Sequence, residues 1–161
     1  MRKILLAIII CINLLPAFDV NDLKLLKEEG DCVGCDLSHA DLKDMDLTMS
    51  DLHDANLSHA DLTNTLAHKV DFTHADLSDA AFVKANLKGA SFVNALLKHV
   101  DFFEARIWKG DFSNAKIDQC NFDEAALGSA VFDNNDLSNS TFKGAILYKT
   151  VFHKNVAGIP R

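Results

Sequence analysis

Three histidines and one aspartate stand 20 residues apart in this sequence, at His39, His59, Asp79 and His99. Imidazole and carboxylate groups can share a divalent metal ion, or can form a ladder whose charge changes with pH near neutrality. Either chemistry requires a fold that brings every twentieth residue together. Histidine also occurs at many other positions that are expected to face solvent. The metal site is therefore the weaker hypothesis, and exposed polar side chains are the favoured one.

The segment Cys32-Val33-Gly34-Cys35 has the spacing of a redox motif or of half a zinc site. No second C-x-x-C follows it, and no helix is predicted to begin at its first cysteine. In an exported protein, the favoured interpretation is a local disulfide between Cys32 and Cys35, or two packed thiols, beside the first repeat. Cys120 is expected to lie in the core.

No arrangement of residues in the sequence indicates an enzyme. Serine, histidine and aspartate occur together at many points, so an apparent catalytic triad is expected by chance. The sequence has no glycine-rich loop of the kind that holds phosphates. Its apolar residues are expected to fill the interior and to leave no deep pocket of the kind that ligands use. We therefore expect a non-enzymatic protein without a cofactor.

A five-residue unit organises the chain from Cys35 to Lys154, a stretch of 120 residues and 24 units without insertion. One position of the unit is large and apolar, with a single exception at Ala67, and the position two before it is usually small. Helices repeat near 3.6 residues and plain strands near 2. Short extended segments that turn a corner after each unit fit the five-residue period. The repeat therefore predicts a polygonal coil.

The order of the large residues predicts the number of sides of this coil. From Phe72 to Phe122, phenylalanine alternates strictly with leucine or isoleucine. Four units per turn stack Phe on Phe and Leu on Leu, whereas three units stack Phe on Leu. Uniform stacks allow level packing of the interior. We expect an all-β solenoid of four-sided coils, about six in number and spaced about 4.8 Å apart.

Units such as Ala40-Asp41-Leu42 resemble the A-[DN]-L-x-x motif of the pentapeptide repeat protein family, and they cover 120 of the 161 residues. The resemblance implies a right-handed quadrilateral β-helix with the small and large positions pointing inward. It implies no single activity, because members of this family serve different roles. Some members bind DNA gyrase as dimers whose acidic rod resembles duplex DNA, and so confer quinolone resistance.

The sequence divides into four regions: a signal peptide (1–17), an N-terminal helical cap (18–34), the repeat domain (35–154) and a C-terminal tail (155–161). The first region has two basic residues, Arg2 and Lys3, and then an apolar run of 12 residues. This is the layout of a secretory signal peptide, and the run is shorter than the ~20 residues of a membrane span. We expect no transmembrane span after its cleavage.

Both ends of the repeat domain need cover, since a solenoid exposes its terminal coils. The sequence predicts a short amphipathic helix from Asn21 to Glu29, capped by Asn21, as the N-terminal cover. The C-terminal tail is thin, although Val156 and Ile159 can fold across the last coil. An uncovered edge is a pairing surface. We therefore expect that the C-terminal coil can meet a second copy of the chain.

Two positions within the repeats depart from the pattern. At Thr65-Leu66-Ala67 the large residue is missing from its usual place, which predicts a local bulge or a small internal void. Asn135 is polar at a small inward position, and its side chain is expected to bond to the backbone of a turn.

Acidic residues dominate the first repeats, and the whole chain has a formal net charge of −7. Residues 36–65 carry seven Asp and one Lys, whereas residues 66–161 carry eleven acidic and eleven basic residues. Direct nucleic-acid binding is not expected, because it requires a basic footprint. The favoured explanation is solubilising charge, with aspartate placed before each large residue by turn chemistry.

Four-sided coils bring several outward apolar and basic residues close together, namely Phe103, Arg106, Trp108, Ile146 and Tyr148. These residue types are enriched at protein interfaces. They predict a contact patch for a protein partner, although scattered apolar residues are also common on surfaces.

These features together predict an exported protein, periplasmic or secreted, that acts as a structural or protein-interaction module. The alternative is a cytoplasmic, DNA-mimicking protein that binds gyrase. Against it stand the export signal, the seven-residue tail and the absence of insertions that would form projecting loops. A secreted factor that acts on a host or neighbouring cell is a third possibility.

Overall fold

Backbone pairing in the computed structural model, which describes residues 18–153 and 156–158, follows the 20-residue register. Parallel bridges join residues 20 apart along the repeats, for example Asp36 to Asn56 and Ala126 to Ile146. Twenty residues are four units of five, so each turn of the solenoid has four sides. The prediction of four units per turn rather than three is confirmed.

The regular elements are short because each side of the coil is only a few residues long. They are the helix α1 (Val20–Glu29) and the strands β1 (Leu96–Lys98), β2 (Lys116–Asp118), β3 (Val131–Phe132) and β4 (Val151–Phe152). β1 pairs in parallel with β2, and β3 pairs in parallel with β4. No helix among residues 18–153 and 156–158 is long and apolar enough to cross a bilayer.

Nearly every corner of the coil contains a residue with positive φ. Asn64, with φ of 60°, and His74, with φ of 61°, are examples, and Gly89 occupies the equivalent position in its unit. The residue before the large position helps to form the corner. The Asp71 carboxylate, for instance, accepts a hydrogen bond of 2.9 Å from the backbone N–H of Thr73. This Asx-type turn explains why Asp and Asn are so frequent at that position.

Two columns of phenylalanine rings fill much of the interior. In one column the rings of Phe92, Phe112 and Phe132 are stacked, with centroids 4.8 Å and 4.7 Å apart. The second column contains Phe82, Phe102, Phe122 and Phe142. Rings of the two columns meet edge to face, as Phe102 and Phe112 do at 6.0 Å. The predicted Phe-on-Phe stacking is therefore present.

Helix α1 closes the N-terminal end of the solenoid. Asp19, not Asn21, is its N-cap residue, since the Asp19 carboxylate accepts a hydrogen bond from the Asn21 backbone N–H. The Asp22 carboxylate accepts a hydrogen bond of 2.8 Å from the backbone N–H of Asp36, and Leu26 is buried in the core. The helix thus contacts the first coil through both polar and apolar groups.

The chain shows no bulge at Thr65-Leu66-Ala67, so the first of the two predicted alternatives, a bulge or a small internal void, is wrong. Leu66 pairs in register with Asp46 and with Asn86. Ala67 keeps the inward position and is fully buried, while the Leu66 side chain is exposed. The backbone hydrogen bonds fix the register, so a smaller side chain at one inward position does not displace the chain.

Asn135 behaves as predicted. Its Nδ2 group donates hydrogen bonds of 2.9 Å to the backbone oxygens of Phe112 and Ala115. The side chain is buried, and its Oδ1 atom has no hydrogen-bond partner among the described residues.

The C-terminal coil is less covered than the coils before it. Its large inward residues, Phe142, Leu147 and Phe152, are only partly buried, and Val156 packs against the core beside them. The pairing register shifts by one residue here, since Asp136 pairs with Ala157. Residues 1–17, predicted as the signal peptide, and Ile159 lie outside the described residues.

Candidate interaction surface

The Trp108 ring packs against the outside of the coil in the space that Gly128 leaves open, because glycine has no side chain. The two residues are 20 apart and lie in one column, and the backbone N–H of Lys109 bonds to the Gly128 oxygen. A Cβ atom at Gly128 would lie only 2.1 Å from the Trp108 ring. The indole therefore occupies the space above Gly128 and remains 37% exposed.

Ile146 and Tyr148 extend the surface beyond Trp108. Ile146 is 51% exposed. It lies in the same column as Arg106, because Ala126 forms parallel β-bridges with both residues. Tyr148 is 61% exposed and continues the column of Trp108. The Lys149 Nζ atom lies 5.1 Å from the centroid of the Tyr148 ring.

Phe103 occupies a different place from the rest of the predicted patch. It lies at the preceding corner of the coil and is partly buried. The structure thus brings together Arg106, Trp108, Ile146 and Tyr148 on two adjacent columns. The 20-residue register also places Gly128 between Trp108 and Tyr148, but the sequence analysis assigned it no role in the patch.

The four residues of the histidine column are neighbours on one corner. The rings of His39 and His59 stack with centroids 4.5 Å apart. His59 Nε2 lies 3.9 Å from an Asp79 oxygen, and His99 Nδ1 lies 3.0 Å from the other. Within residues 18–153 and 156–158, no three histidine, cysteine or acidic side chains converge as metal ligands. In this column two histidine rings stack and His99 hydrogen-bonds to Asp79, which agrees with the favoured interpretation of exposed polar side chains and not with a metal site.

Cys32 and Cys35 form a disulfide. Both residues are buried. The backbone N–H of Cys32 donates a hydrogen bond to the backbone oxygen of Asp51, and the same kind of bond connects the coils that follow. The hydrogen-bonded coil therefore begins before the first predicted unit. The disulfide lies next to α1, with Cys32 Sγ 3.2 Å from the backbone oxygen of Asp22.

Cys120 is the one free cysteine among the described residues, and it is buried. Burial raises the pKa of its thiol to about 12, although hydrogen bonds to the backbone act in the opposite direction. A thiol with such a pKa is protonated at neutral pH and is a poor nucleophile. Cys120 is therefore a core residue and not a reactive one.

One histidine forms a close pair with a carboxylate. His53 Nδ1 lies 2.7 Å from Asp51 Oδ1. This hydrogen bond raises the pKa of His53 and lowers the pKa of Asp51. The charged pair is most stable between the two pKa values, and the attraction is lost when the pH rises through the raised pKa of His53. Both side chains are substantially exposed, so the contribution to stability is small.

A family model of pentapeptide repeats matches the sequence with eight copies, in the segments 31–66, 50–89, 68–102, 82–119 and 111–148. These segments together span residues 31–148, which is more than half of the 161 residues. The chain belongs to the pentapeptide repeat family.

Solved pentapeptide repeat proteins resemble this chain at low sequence identity. A protein from the cyanobacterium Cyanothece 51142 is 22% identical, covers 85% of this chain and 97% of its own, and gives a TM-score of 0.37. A protein from the thylakoid lumen of Arabidopsis thaliana is 31% identical, over 64% of this chain and 61% of its own, with a TM-score of 0.40. QnrB1, a plasmid-mediated fluoroquinolone resistance protein, is 19% identical over 77% of this chain and 80% of its own, with a TM-score of 0.31.

No curated protein sequence matches this chain significantly. Pentapeptide repeat proteins form right-handed quadrilateral β-helices and generally serve as structural or interaction modules. Membership thus explains the four-sided coil, while the particular role of this pentapeptide repeat protein depends on its own surface.

Proposed function

We propose that this pentapeptide repeat protein is an exported, non-enzymatic interaction module, a right-handed rod of about six coils that binds a protein partner. The observation that carries the proposal is the seating of Trp108 on Gly128, which keeps a large aromatic surface exposed and fixed in place. Trp, Tyr and Arg dominate the binding energy of protein interfaces, and a fixed side chain loses little entropy on binding. Arg106, Ile146 and Tyr148 supply the surrounding contacts.

The filled interior supports a role without catalysis. The phenylalanine and leucine side chains of the central coils are fully buried against one another. Binding therefore takes place on the outside of the rod. A second copy of the chain is the proposed partner of the C-terminal coil, where Phe142, Leu147 and Phe152 remain partly exposed.

Replacing Trp108 with alanine is expected to leave the fold intact and to weaken partner binding about 30-fold or more, the effect of losing an interface hot spot of ~2 kcal/mol. The measurement is quantitative capture of the partner recovered with the unmodified protein. Leu96→Ala is the matched control, because Leu96 is 36% exposed and lies on another side of the coil. Equal capture by both variants and the unmodified protein would rule out the patch.

The alternative, a cytoplasmic protein that binds gyrase as a DNA mimic, is favoured by the acidic surface of the first coils. Fractionation of cells that express the full-length chain separates the two proposals. We expect the protein outside the cytoplasm, with an intact mass that corresponds to cleavage near residue 17. A full-length cytoplasmic product would contradict export, and a gyrase inhibition assay would then test the alternative.

A further inference from the structure

The patch around Trp108 is part of a larger surface that carries positive charge only. This surface, here named the basic stripe, comprises the outward positions of residues 66–70, 86–90, 106–110, 126–130 and 146–150. These residues lie above one another through the bridges that connect Leu66, Asn86, Arg106, Ala126 and Ile146. They include no Asp or Glu, although acidic residues outnumber basic ones 23 to 16 in the whole chain.

Five exposed cations line the basic stripe: Lys69, Lys88, Arg106, Lys109 and Lys149. None of them lies within 4 Å of a carboxylate oxygen of a described residue. By contrast, Lys43 pairs with Asp61 at 3.1 Å, and Lys84 pairs with Glu104 at 3.7 Å, both outside the basic stripe. The cations of the basic stripe therefore remain available to a ligand.

Acidic residues border the basic stripe on both sides. Glu104 and Glu124 lie at the corner that precedes it, where Lys84 pairs with Glu104, and Asp71 and Asp111 begin the side that follows it. The borders would repel a broad anionic surface such as a lipid bilayer, which would touch them together with the cations. A narrow anionic ligand that lies along the rod would contact the cations and avoid the borders.

We propose that the basic stripe binds an extended acidic segment of a partner protein. Trp108 and Arg106 lie near its centre and lysines lie around them, which is the arrangement of an interface with anchor residues and a charged rim. Leu66 and Ile146 are exposed toward its two ends and can receive apolar side chains of a peptide. The bases and sugars of a nucleic acid strand offer no aliphatic side chain of comparable size.

The dimensions fit a short segment. Lys69 and Lys149 are 80 residues apart, which is four coil steps of 20. At ~4.8 Å per step the basic stripe is about 19 Å long, the length of roughly six residues in extended conformation. The inference rests on the proposed function, since it names the chemistry of the partner that the Trp108 patch receives.

Poly-L-glutamate is a suitable probe, and Trp108 reports binding directly because it is the only tryptophan of the chain. We expect a change in Trp108 fluorescence that saturates with poly-L-glutamate and weakens with added salt. Lys88→Glu combined with Lys109→Glu reverses two cations beside Trp108, and we expect it to weaken binding at least about tenfold.

The matched control combines Lys98→Glu with Lys116→Glu. It changes the net charge equally, but these exposed lysines lie on β1 and β2, on a different side of the coil. Equal weakening by both double variants would overturn the proposal, because binding would then follow net charge. Stripe-dependent binding that is tighter to oligothymidylate, or to phosphatidylglycerol vesicles, than to poly-L-glutamate would overturn it in favour of a nucleic acid or a membrane.

The same variants separate this inference from the proposed function. If Trp108→Ala weakens capture of the partner while the stripe double variant does not, the patch binds a partner that is not acidic. In that case the inference fails and the proposed function stands. If neither variant affects capture, both fail.

Discussion

Phe112→Asp is expected to abolish the folded rod. The Phe112 ring is fully buried, and it stacks between Phe92 and Phe132 while touching Phe102 and Phe122 at its edge. Removing such a ring costs about 3–5 kcal/mol, and an unpaired buried carboxylate adds several more. The total approaches the whole stability of a typical domain, about 5–15 kcal/mol. Far-UV circular dichroism and a thermal melt would show the loss.

Two further variants make this test specific. Asn114→Asp places the same charge two residues away at an exposed corner, and it should leave the melting curve nearly unchanged. Phe112→Leu introduces the residue that other units carry at this position, and it should cost no more than about 1.5 kcal/mol. A native-like spectrum with an unchanged melting temperature for Phe112→Asp would show that position 112 does not point into the coil.

Asn135→Ala is expected to lower the free energy of unfolding by about 1–3 kcal/mol, because a buried acceptor loses its donor. The affected acceptor is the Ala115 oxygen, which receives a hydrogen bond of 2.9 Å from Asn135 Nδ2. The Phe112 oxygen loses one bond as well, but it keeps the bond from the Ala115 backbone N–H. Chemical denaturation of both proteins gives the difference in free energy.

Asn139→Ala is the matched control in the same coil. The Asn139 side chain is exposed and its Nδ2 donates to the Asp118 carboxylate, so its loss should change stability by less than about 0.5 kcal/mol. If Asn135→Ala were as stable as the unmodified protein, the cost of the unpartnered Asn135 Oδ1 would equal the gain from its two hydrogen bonds. The polar side chain would then have no net stabilising role.

The fold could be predicted because the large inward residues alternate regularly between two types along the sequence. Phe and Leu alternate every five residues, and of coils with three or four units per turn only the one with four places like residues on like. The prediction of a bulge at Ala67 was wrong for a related reason. Periodicity reports which side chains point inward, but the backbone bonds between coils set the register, and these bonds do not depend on the size of one side chain. The N-cap at Asp19 was missed because Asn21 is an equally good capping residue by type.

The candidate site was predictable in part. The 20-residue register places Trp108 below Tyr148 and Arg106 below Ile146, and the structure brings these residues together. The sequence could not give the direction of the Trp108 ring, since that depends on the rotamer and on the empty space above Gly128. Nor does a total charge of −7 suggest a surface without acidic residues, because net charge averages over all four sides.

The constant register also determines how the rod can assemble. Most contacts between coils connect residues about 20 apart. The relative contact order, which is this separation divided by the chain length, is therefore about 0.12, as in mixed α/β domains that fold in two states. Each new coil closes a loop of the same modest length against the coil before it, and no step requires the distant ends of the chain to meet. Helix α1 and the first coil supply the starting template. Folding can therefore advance in the direction in which a chain emerges from a ribosome or a translocation channel, with each completed coil serving as the surface on which the next one forms.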